Sequence, residues 1–207
     1  LLINQNATRY LAKNNYNVAR MEYIQKLFPD VKFICIIRDP FNHIASLAKQ
    51  DRVLKEVELE NSLLLDWTKI IGHREFGSAR VCINLDNLNT IQRIRLLWNQ
   101  KNTYIEGWAV YWDEVYSYIL KKLRTNPKLA KASLIIRYED LCKSPEEIID
   151  KILEHIEVNP NSFKETKKHY CRKLHEPTYY NPKYTKKEQE KITHITKETA
   201  ETYGYVL

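Results

Sequence analysis

Two stretches of consecutive apolar residues interrupt a chain in which apolar positions otherwise recur every three or four residues. The first occupies residues 32–37 and stops at Arg38, and the second lies within "ASLIIRYEDL", residues 132–141. Continuous β-branched runs of this length are typical of strands buried on both faces of a parallel sheet. The pattern therefore predicts two buried strands, near residues 32–37 and 133–138.

The helical spacing of apolar positions elsewhere predicts amphipathic helices. Their approximate ranges are 9–28, 40–50, 57–73, 107–123 and 144–156, with a further helix from Thr185 onward. Ser144 with Glu147, and Thr185 with Glu188, have the spacing of a capping box at a helix start. Residues 73–92 have the composition of loops and turns, and we expect no regular element there.

Strand–helix–insert–helix–strand–helix is the order of a βαβ architecture. We therefore expect an α/β fold: a three-layer domain with a mostly parallel central sheet that contains both strands. At 207 residues the chain is long enough for one sizeable core, and we expect a single domain over residues 1–207. Ligands of such sheets bind beyond the carboxyl ends of the strands.

The sequence "RDPFNHIASL" follows the first strand and combines an arginine with a helix start. Asp39 is the predicted N-cap and Pro40 suits the first helical position. The permanently charged fork of Arg38 suits a phosphate, to which the helix N-terminus and the hydroxyl of Ser46 would add further donors. The alternative is that Arg38 forms an ion pair with Asp39 or Glu139 and that Ser46 is incidental. Spacing alone does not separate these interpretations.

The formal net charge of +7 is compatible with an anionic partner, although the charge alone favours a lysine-rich solvated surface. The lysines are scattered along helical stretches, so we expect no nucleic-acid partner. The four cysteines form no CxxC pair and no zinc spacing, which predicts no metal site and favours a reducing, cytoplasmic location. No run reaches transmembrane length, and no signal-peptide pattern is visible.

Three segments together resemble one family, the PAPS-dependent sulfotransferases. They are "AKNNYNVARMEYIQKLFPDVKFICIIRDPFNHIASL", "IIRYEDLCKSPEEIIDKILEHI" and the closing "YTKKEQEKITHITKETAETYGY". The resemblance implies a P-loop-NTPase-like sulfotransferase fold. It also implies transfer of a sulfonate group from PAPS to a hydroxyl or amine acceptor, with no metal. The acceptor class, whether a small molecule, a glycan or a lipid, is not specified, and neither is the oligomeric state.

The resemblance also implies roles for individual residues. Arg38 and Ser46 match the residues that hold the cofactor 3′-phosphate, and Tyr138 matches the tyrosine that lies near the adenine nucleotide. Lys13 matches the catalytic lysine that reaches the transferred sulfonate. An ammonium there would stabilise the negative charge that develops on the departing oxygen. We further expect Glu139 and Asp140 to hold the sheet edge together rather than to perform catalysis.

Two departures from the family pattern qualify this interpretation. Asn15 stands where the cytosolic branch has a catalytic histidine, and an asparagine cannot accept a proton. The chain has 4 glycines, none within a 5′-phosphosulfate loop, which suggests an N-terminally incomplete domain. Residues 51–106 match no motif and are expected to be a variable insert near the acceptor site. Two alternatives stay open, a P-loop-type nucleotide kinase and a non-catalytic nucleotide-binding relative.

Overall fold

A short parallel sheet lies among many helices in the computed structural model, which describes residues 9–177 and 182–207. Strand β1 is Phe33–Ile37 and strand β2 is Ser133–Arg137. The two pair in parallel from Phe33 opposite Ser133 to Ile37 opposite Arg137. The prediction that both runs are strands of one parallel sheet is therefore confirmed.

The helices account for most of the described chain. The first half contains a 3₁₀ turn at Asn15–Arg20 and helices α1 Met21–Leu27, α2 Pro40–Glu60, α3 Ser62–Ile71 and α4 Leu88–Trp98. The second half contains α5 Tyr104–Thr125, α6 Pro127–Lys131, α7 Tyr138–Lys143, α8 Pro145–His155, a 3₁₀ turn Pro160–Phe163, α9 Lys164–Cys171 and α10 Lys186–Thr202. The protein is a mostly helical α/β structure.

Helices lie on both faces of the sheet. On one face, Ile37 and Ile135 pack into a core formed with α2, α4, α5 and α10, at whose centre Trp108 and Trp112 are almost fully buried. On the other face, Ile136 packs into a smaller cluster with α7 and α8. The α/β prediction with a parallel sheet is confirmed, whereas the described residues contain no larger central sheet, and the three-layer domain stays a prediction.

The second face is covered only over β2. Ile34 and Ile36 of β1 point to that face, because they pair with Leu134 and Ile136, yet they are 38% and 50% exposed. Leu134 and Ile136 contact the cluster of α8, so burial is uneven across two adjacent strands. The prediction that the first run is buried on both faces is therefore wrong for this half of the sheet.

Several helix boundaries differ from the sequence predictions. Helix α2 does not end near residue 50 but continues to Glu60, because apolar and buried polar positions keep its helical spacing. Helix α4 forms within and beyond the stretch expected to be loop, with Asn87 as its N-cap. Ser144 makes no capping hydrogen bond, since Pro145 at the first helical position and the carbonyl of Ser144 begin α8 without it. The capping box of Thr185 and Glu188 is confirmed.

Candidate functional site

Arg38 lies directly after β1, at the carboxyl edge of the sheet, with its guanidinium 5.0 Å from the centre of the Tyr138 ring. Tyr138 is the first residue after β2, so the parallel pairing of the strands brings the two side chains together. The Nε atom of Arg38 is buried and has no hydrogen-bond partner within the described parts of the chain. A buried, unsatisfied cationic donor costs free energy unless a ligand supplies an acceptor.

The carboxylates beside Arg38 have other partners. Glu139 accepts hydrogen bonds from the Asp39 amide at 2.9 Å and from the Tyr205 hydroxyl at 2.6 Å. Asp39 accepts the amide of Asn42 at 2.8 Å and so caps α2 as predicted. Within residues 9–177 and 182–207 Arg38 forms no ion pair with Asp39 or Glu139, although its positive charge acts on the Asp39 carboxyl and opposes the rise that burial causes in the pKa of that carboxyl.

Arg137, which ends β2, provides a contrast at the same edge. Its guanidinium donates two hydrogen bonds to Asp140, at 2.7 and 2.8 Å, and a third to the carbonyl of Gly204 at 2.7 Å. These bonds raise the pKa of Arg137 and lower the pKa of Asp140. The expectation that Glu139 and Asp140 hold this edge together is confirmed by their bonds.

Gly204 and Tyr205, which follow α10, contact the same edge of the sheet. Gly204 has a φ of +83°, a backbone conformation that favours glycine, and its carbonyl reaches Arg137. The Tyr205 ring lies 5.5 Å from the Arg137 guanidinium, and its hydroxyl also donates to the carbonyl of Ile37 at 3.3 Å. Burial raises the pKa of Tyr205, and its bond to Glu139 adds to that effect.

His43 lies in the first turn of α2, beside Arg38. Its Nδ1 is 3.4 Å from the hydroxyl of Tyr116, which also contacts the carbonyl of Ile36 at 3.3 Å. Burial lowers the pKa of His43 to about 4, and the positive charge of Arg38 contributes. At neutral pH His43 is therefore uncharged, and Arg38 is the charge that an anion at this edge would meet.

Ser46 and Lys13 are the two remaining residues of the predicted site. Ser46 lies in the second turn of α2, partly buried, and its hydroxyl makes no hydrogen bond to a residue that the structure describes. Lys13 is exposed in an irregular segment just before the 3₁₀ turn, as is Asn15 at the start of that turn. The structure brings Arg38 and Tyr138 together, whereas Lys13 lies in this exposed irregular segment, so only part of the predicted site is assembled.

Two site features were not predicted from the sequence. Tyr205 acts from the far end of the chain, and only the closing Gly-Tyr pair hinted at a role for this segment. His43 is visible in "RDPFNHIASL", but its neutral state depends on burial that the sequence does not show. No three His, Cys, Asp or Glu side chains in the described ranges are grouped closely enough to hold a metal ion.

Comparison with known proteins gives one family match. The sequence profile of the Sulfotransferase family matches residues 3–74, about a third of the chain. This segment includes Lys13, Arg38 and Ser46 and spans α1, β1, α2 and α3, whereas Tyr138 lies outside it. No curated protein and no solved structure matches the chain.

The match associates this segment with sulfonate transfer in general. It contains the sequence that places Arg38 at the sheet edge, which is the best-defined part of the candidate site. The resemblance that the sequence suggested is thus confirmed at the level of the family: residues 3–74 carry the pattern of a sulfotransferase family.

Proposed function

We propose that the protein transfers a sulfonate group from PAPS to a hydroxyl or amine acceptor, and that Arg38 and Ser46 bind the 3′-phosphate of the cofactor. The observation that carries this proposal is the environment of the Arg38 side chain. Its guanidinium lies at the carboxyl edge of a parallel sheet, its Nε has no partner in the part of the chain that the structure describes, and the nearby acids accept other hydrogen bonds. An anion with several oxygens is the ligand that such a group accepts best.

Tyr138 extends this site toward a nucleotide. Its ring already stacks on the Arg38 guanidinium at 5.0 Å, which places an aromatic face next to the proposed phosphate position. An aromatic ring with a hydroxyl can pack on an adenine and also hydrogen-bond a nucleotide. A phosphate site that adjoins an aromatic ring fits a nucleotide better than it fits an isolated anion.

Lys13 is proposed to act in the transfer step. As the sulfur–oxygen bond to the departing phosphate breaks, negative charge grows on the bridging oxygen, and a nearby ammonium would stabilise that charge. Lys13 lies in the family segment and its side chain is exposed, so it is accessible to a ligand.

The 207 residues contain no glycine-rich phosphosulfate loop. The binding residues proposed here therefore belong to the 3′-phosphate end of the cofactor.

Calorimetry with two nucleotides tests the proposal. Adenosine 3′,5′-bisphosphate carries the 3′-phosphate, and adenosine 5′-monophosphate lacks it. A charge-assisted hydrogen bond contributes about 1.5–3 kcal/mol, so Arg38→Ala should weaken bisphosphate binding by roughly ten- to a hundredfold. The smaller loss expected for Ser46→Ala corresponds to about 0.5–1.5 kcal/mol. Binding of the monophosphate should hardly respond to Arg38→Ala.

Arg124→Ala is the matched control. Arg124 is exposed on α5, so this substitution removes the same charge at a position away from the sheet edge. It should leave both affinities unchanged. Equal losses for the two nucleotides in Arg38→Ala would show that Arg38 contacts something other than the 3′-phosphate. If the wild-type protein binds neither nucleotide, the proposed cofactor is wrong.

A further inference from the structure

Helix α3 turns its more apolar face to solvent. Four large apolar side chains on that face, here called the α3 stripe, are between 44% and 79% exposed, namely Leu63, Trp67, Ile70 and Ile71. The face toward α2 carries the buried Thr68 instead. No side chain of α3 belongs to either core cluster of the described residues, so the packing of a single copy does not account for the α3 stripe.

The spacing of the α3 stripe is typical of a helix that packs on another helix. Residues at positions i, i+4, i+7 and i+8 of an α-helix lie within a sector about 100° wide. A contiguous exposed apolar surface of this kind marks an interaction site in a soluble protein more often than isolated exposed apolar residues do. The α3 stripe is therefore a candidate interface, and its surroundings indicate the partner.

Two opposite charges lie on one flank of the α3 stripe. The side chains of Asp66 and Lys69 are 70% and 45% exposed and form a pair at 3.6 Å along the helix. With 3.6 residues per turn, both lie on the flank beside Ile70, about one turn apart. In an antiparallel helix pair related by a twofold axis, this flank meets the same flank of the other copy with its direction reversed. Asp66 of each copy then lies opposite Lys69 of the other, so the surface is complementary to itself.

The apolar positions fit the same arrangement. With the axis between residues 67 and 68, Trp67 of both copies lies near the axis, and Leu63 of each copy lies beside Ile71 of the other. Paired aromatic rings at the centre and aliphatic contacts at the ends form a continuous apolar seam. A parallel pairing would place the charged flank against the flank of Leu64, which has no charge to match it. The charges thus favour the antiparallel pairing.

The charges beside the α3 stripe do not favour a membrane as its partner. An apolar helix face that binds anionic lipid is usually bordered by several cations. Here the exposed acids Glu60, at the end of α2, and Asp66 accompany the exposed Lys69. The positive charge of the whole chain is therefore not concentrated at this surface, whereas the balanced charges suit a second copy.

We infer that the α3 stripe is a dimerisation surface, through which two copies of this chain pair with their α3 helices antiparallel about a twofold axis. A helix of 10 residues is about 15 Å long, which gives a smaller contact than the standard interface of about 800 Å² per partner. We therefore expect a weak dimer, with a Kd of about 10–100 μM. The inference does not depend on sulfonate transfer, because α3 carries none of the residues proposed to bind the cofactor.

Sedimentation equilibrium over a range of protein concentrations tests the dimer and its geometry. Asp66→Lys and Lys69→Asp should each weaken dimerisation by about tenfold, since each creates two like-charge contacts per dimer. They change the net charge in opposite directions, so an equal effect cannot come from net charge. The combined variant Asp66→Lys/Lys69→Asp should restore the wild-type Kd. Failure of the combined variant to restore it would overturn the antiparallel pairing.

A second pair of variants tests the apolar seam. Ile70→Ser should weaken dimerisation more than tenfold, whereas Leu96→Ser, at a leucine that is 66% exposed on α4, should leave the Kd unchanged. Because the contact forms between folded copies, urea unfolding of dilute protein should hardly differ among these variants. Equal weakening by Ile70→Ser and Leu96→Ser, or a wild-type protein that stays monomeric at every concentration, would overturn the inference.

Tryptophan fluorescence shows independently whether α3 is the surface that pairs. Trp67 is 58% exposed, whereas the other three of the 4 tryptophans are almost fully buried. Dilution of the wild-type protein should therefore shift its emission to longer wavelength as Trp67 returns to water, and Trp67→Tyr should abolish the shift. A dimer whose dilution leaves the emission unchanged would place the interface elsewhere. A shift to shorter wavelength on addition of phosphatidylserine vesicles to monomeric protein would assign the α3 stripe to a membrane and overturn the inference.

Discussion

At the scale of single residues, two arginines at the carboxyl ends of adjacent strands have different surroundings. Arg137 satisfies its guanidinium with Asp140 and the Gly204 carbonyl, and so it stabilises the sheet edge. Arg38 has a buried Nε with no hydrogen-bond partner among the described residues, and its guanidinium lies 5.0 Å from the centre of the Tyr138 ring. Burial of an unsatisfied charged donor is unfavourable, and such groups cluster at functional sites. The difference is the reason that Arg38, and not Arg137, is proposed to bind the ligand.

Lys13 should affect turnover more than binding. Its proposed partner charge develops only in the transition state, so Lys13→Ala should lower the rate of sulfonate transfer while the affinity for adenosine 3′,5′-bisphosphate stays nearly unchanged. Steady-state assays with PAPS, together with calorimetry, measure the two effects. Lys128→Ala, on an exposed surface elsewhere, is the control. Normal turnover in Lys13→Ala would exclude the proposed role.

His43 should make the protein less stable in mild acid. The pKa of His43 in the folded protein is about 4, below its usual 6.5, so the unfolded chain binds a proton that the folded chain does not. Its contribution to stability is therefore complete above pH 6.5 and is lost as the pH falls toward 4. Between pH 7 and pH 5 we expect a loss of about 2 kcal/mol, measurable by urea unfolding.

His43→Asn should remove most of this pH dependence, because the variant has no group to protonate at that position. His194→Gln, on an exposed position of α10, should keep the wild-type dependence. The interpretation fails if His43→Asn and the wild-type protein lose the same stability between pH 7 and pH 5.

At the scale of elements, the sheet edge is assembled by the segment that follows α10. Tyr205 joins β1, through the Ile37 carbonyl, to the start of α7, through Glu139. Glu139 in turn holds the Asp39 amide at the entry to α2. The last residues of the chain thereby fix where β1 ends and α2 begins, and with them the position of Arg38.

Tyr205→Phe should destabilise the protein and weaken the nucleotide site together. The variant keeps the ring but leaves Glu139 without one donor, and we expect a loss of about 1–3 kcal/mol in the free energy of unfolding. Bisphosphate affinity should fall severalfold, since Asp39 and Arg38 lose support. Tyr23→Phe, at an exposed ring on α1, should change neither quantity. Unchanged stability in Tyr205→Phe would show that the bond to Glu139 contributes little.

The sequence predicts those elements whose signals are local. The β-branched runs, the Asp39-Pro40 helix start and the Thr185 capping box each depend on neighbouring residues, and each forms. Helix α4 was missed because its apolar positions follow a polar, turn-like stretch, and its stability comes from packing on α5. The partners of Glu139 were likewise not predictable, because Tyr205 approaches from far along the chain. The P-loop-like fold stays a prediction.

At the scale of the whole molecule, the larger core depends on a buried charge network between α2 and the loop after α3. Asp51 is fully buried and accepts hydrogen bonds from the Gly77 amide at 2.9 Å and the Tyr104 hydroxyl at 2.7 Å. It also pairs with Arg80, whose guanidinium stacks 4.2 Å from the centre of the Trp98 ring. Burial alone would raise the pKa of Asp51, but the bonds from Arg80, Tyr104 and Lys55 lower it.

Gly77 shows how closely this loop approaches α2. Its φ of +82° lies in the region that favours glycine, and a Cβ at this position would overlap the Glu58 carboxylate. The neighbouring Ser78 amide donates to Glu58 at 2.7 Å, so two acids of α2 hold consecutive residues of the loop. The loop and the aromatic core behind it are consequently fixed by side chains of the same helix that carries Ser46.

Asp51→Asn should therefore destabilise the protein far more than the removal of an exposed acid. The substitution leaves the Arg80 guanidinium buried without its counter-charge, and breaking one partner of a buried ion pair costs about 3–5 kcal/mol. Asp66→Asn is the matched control, because Asp66 is exposed on α3 and its pair with Lys69 spans 3.6 Å, which predicts a change of about 0–1 kcal/mol. Urea unfolding measures both values. Similar small losses in the two variants would show that the network does not hold the core, and that the aromatic packing of Trp98 and Trp108 suffices without it.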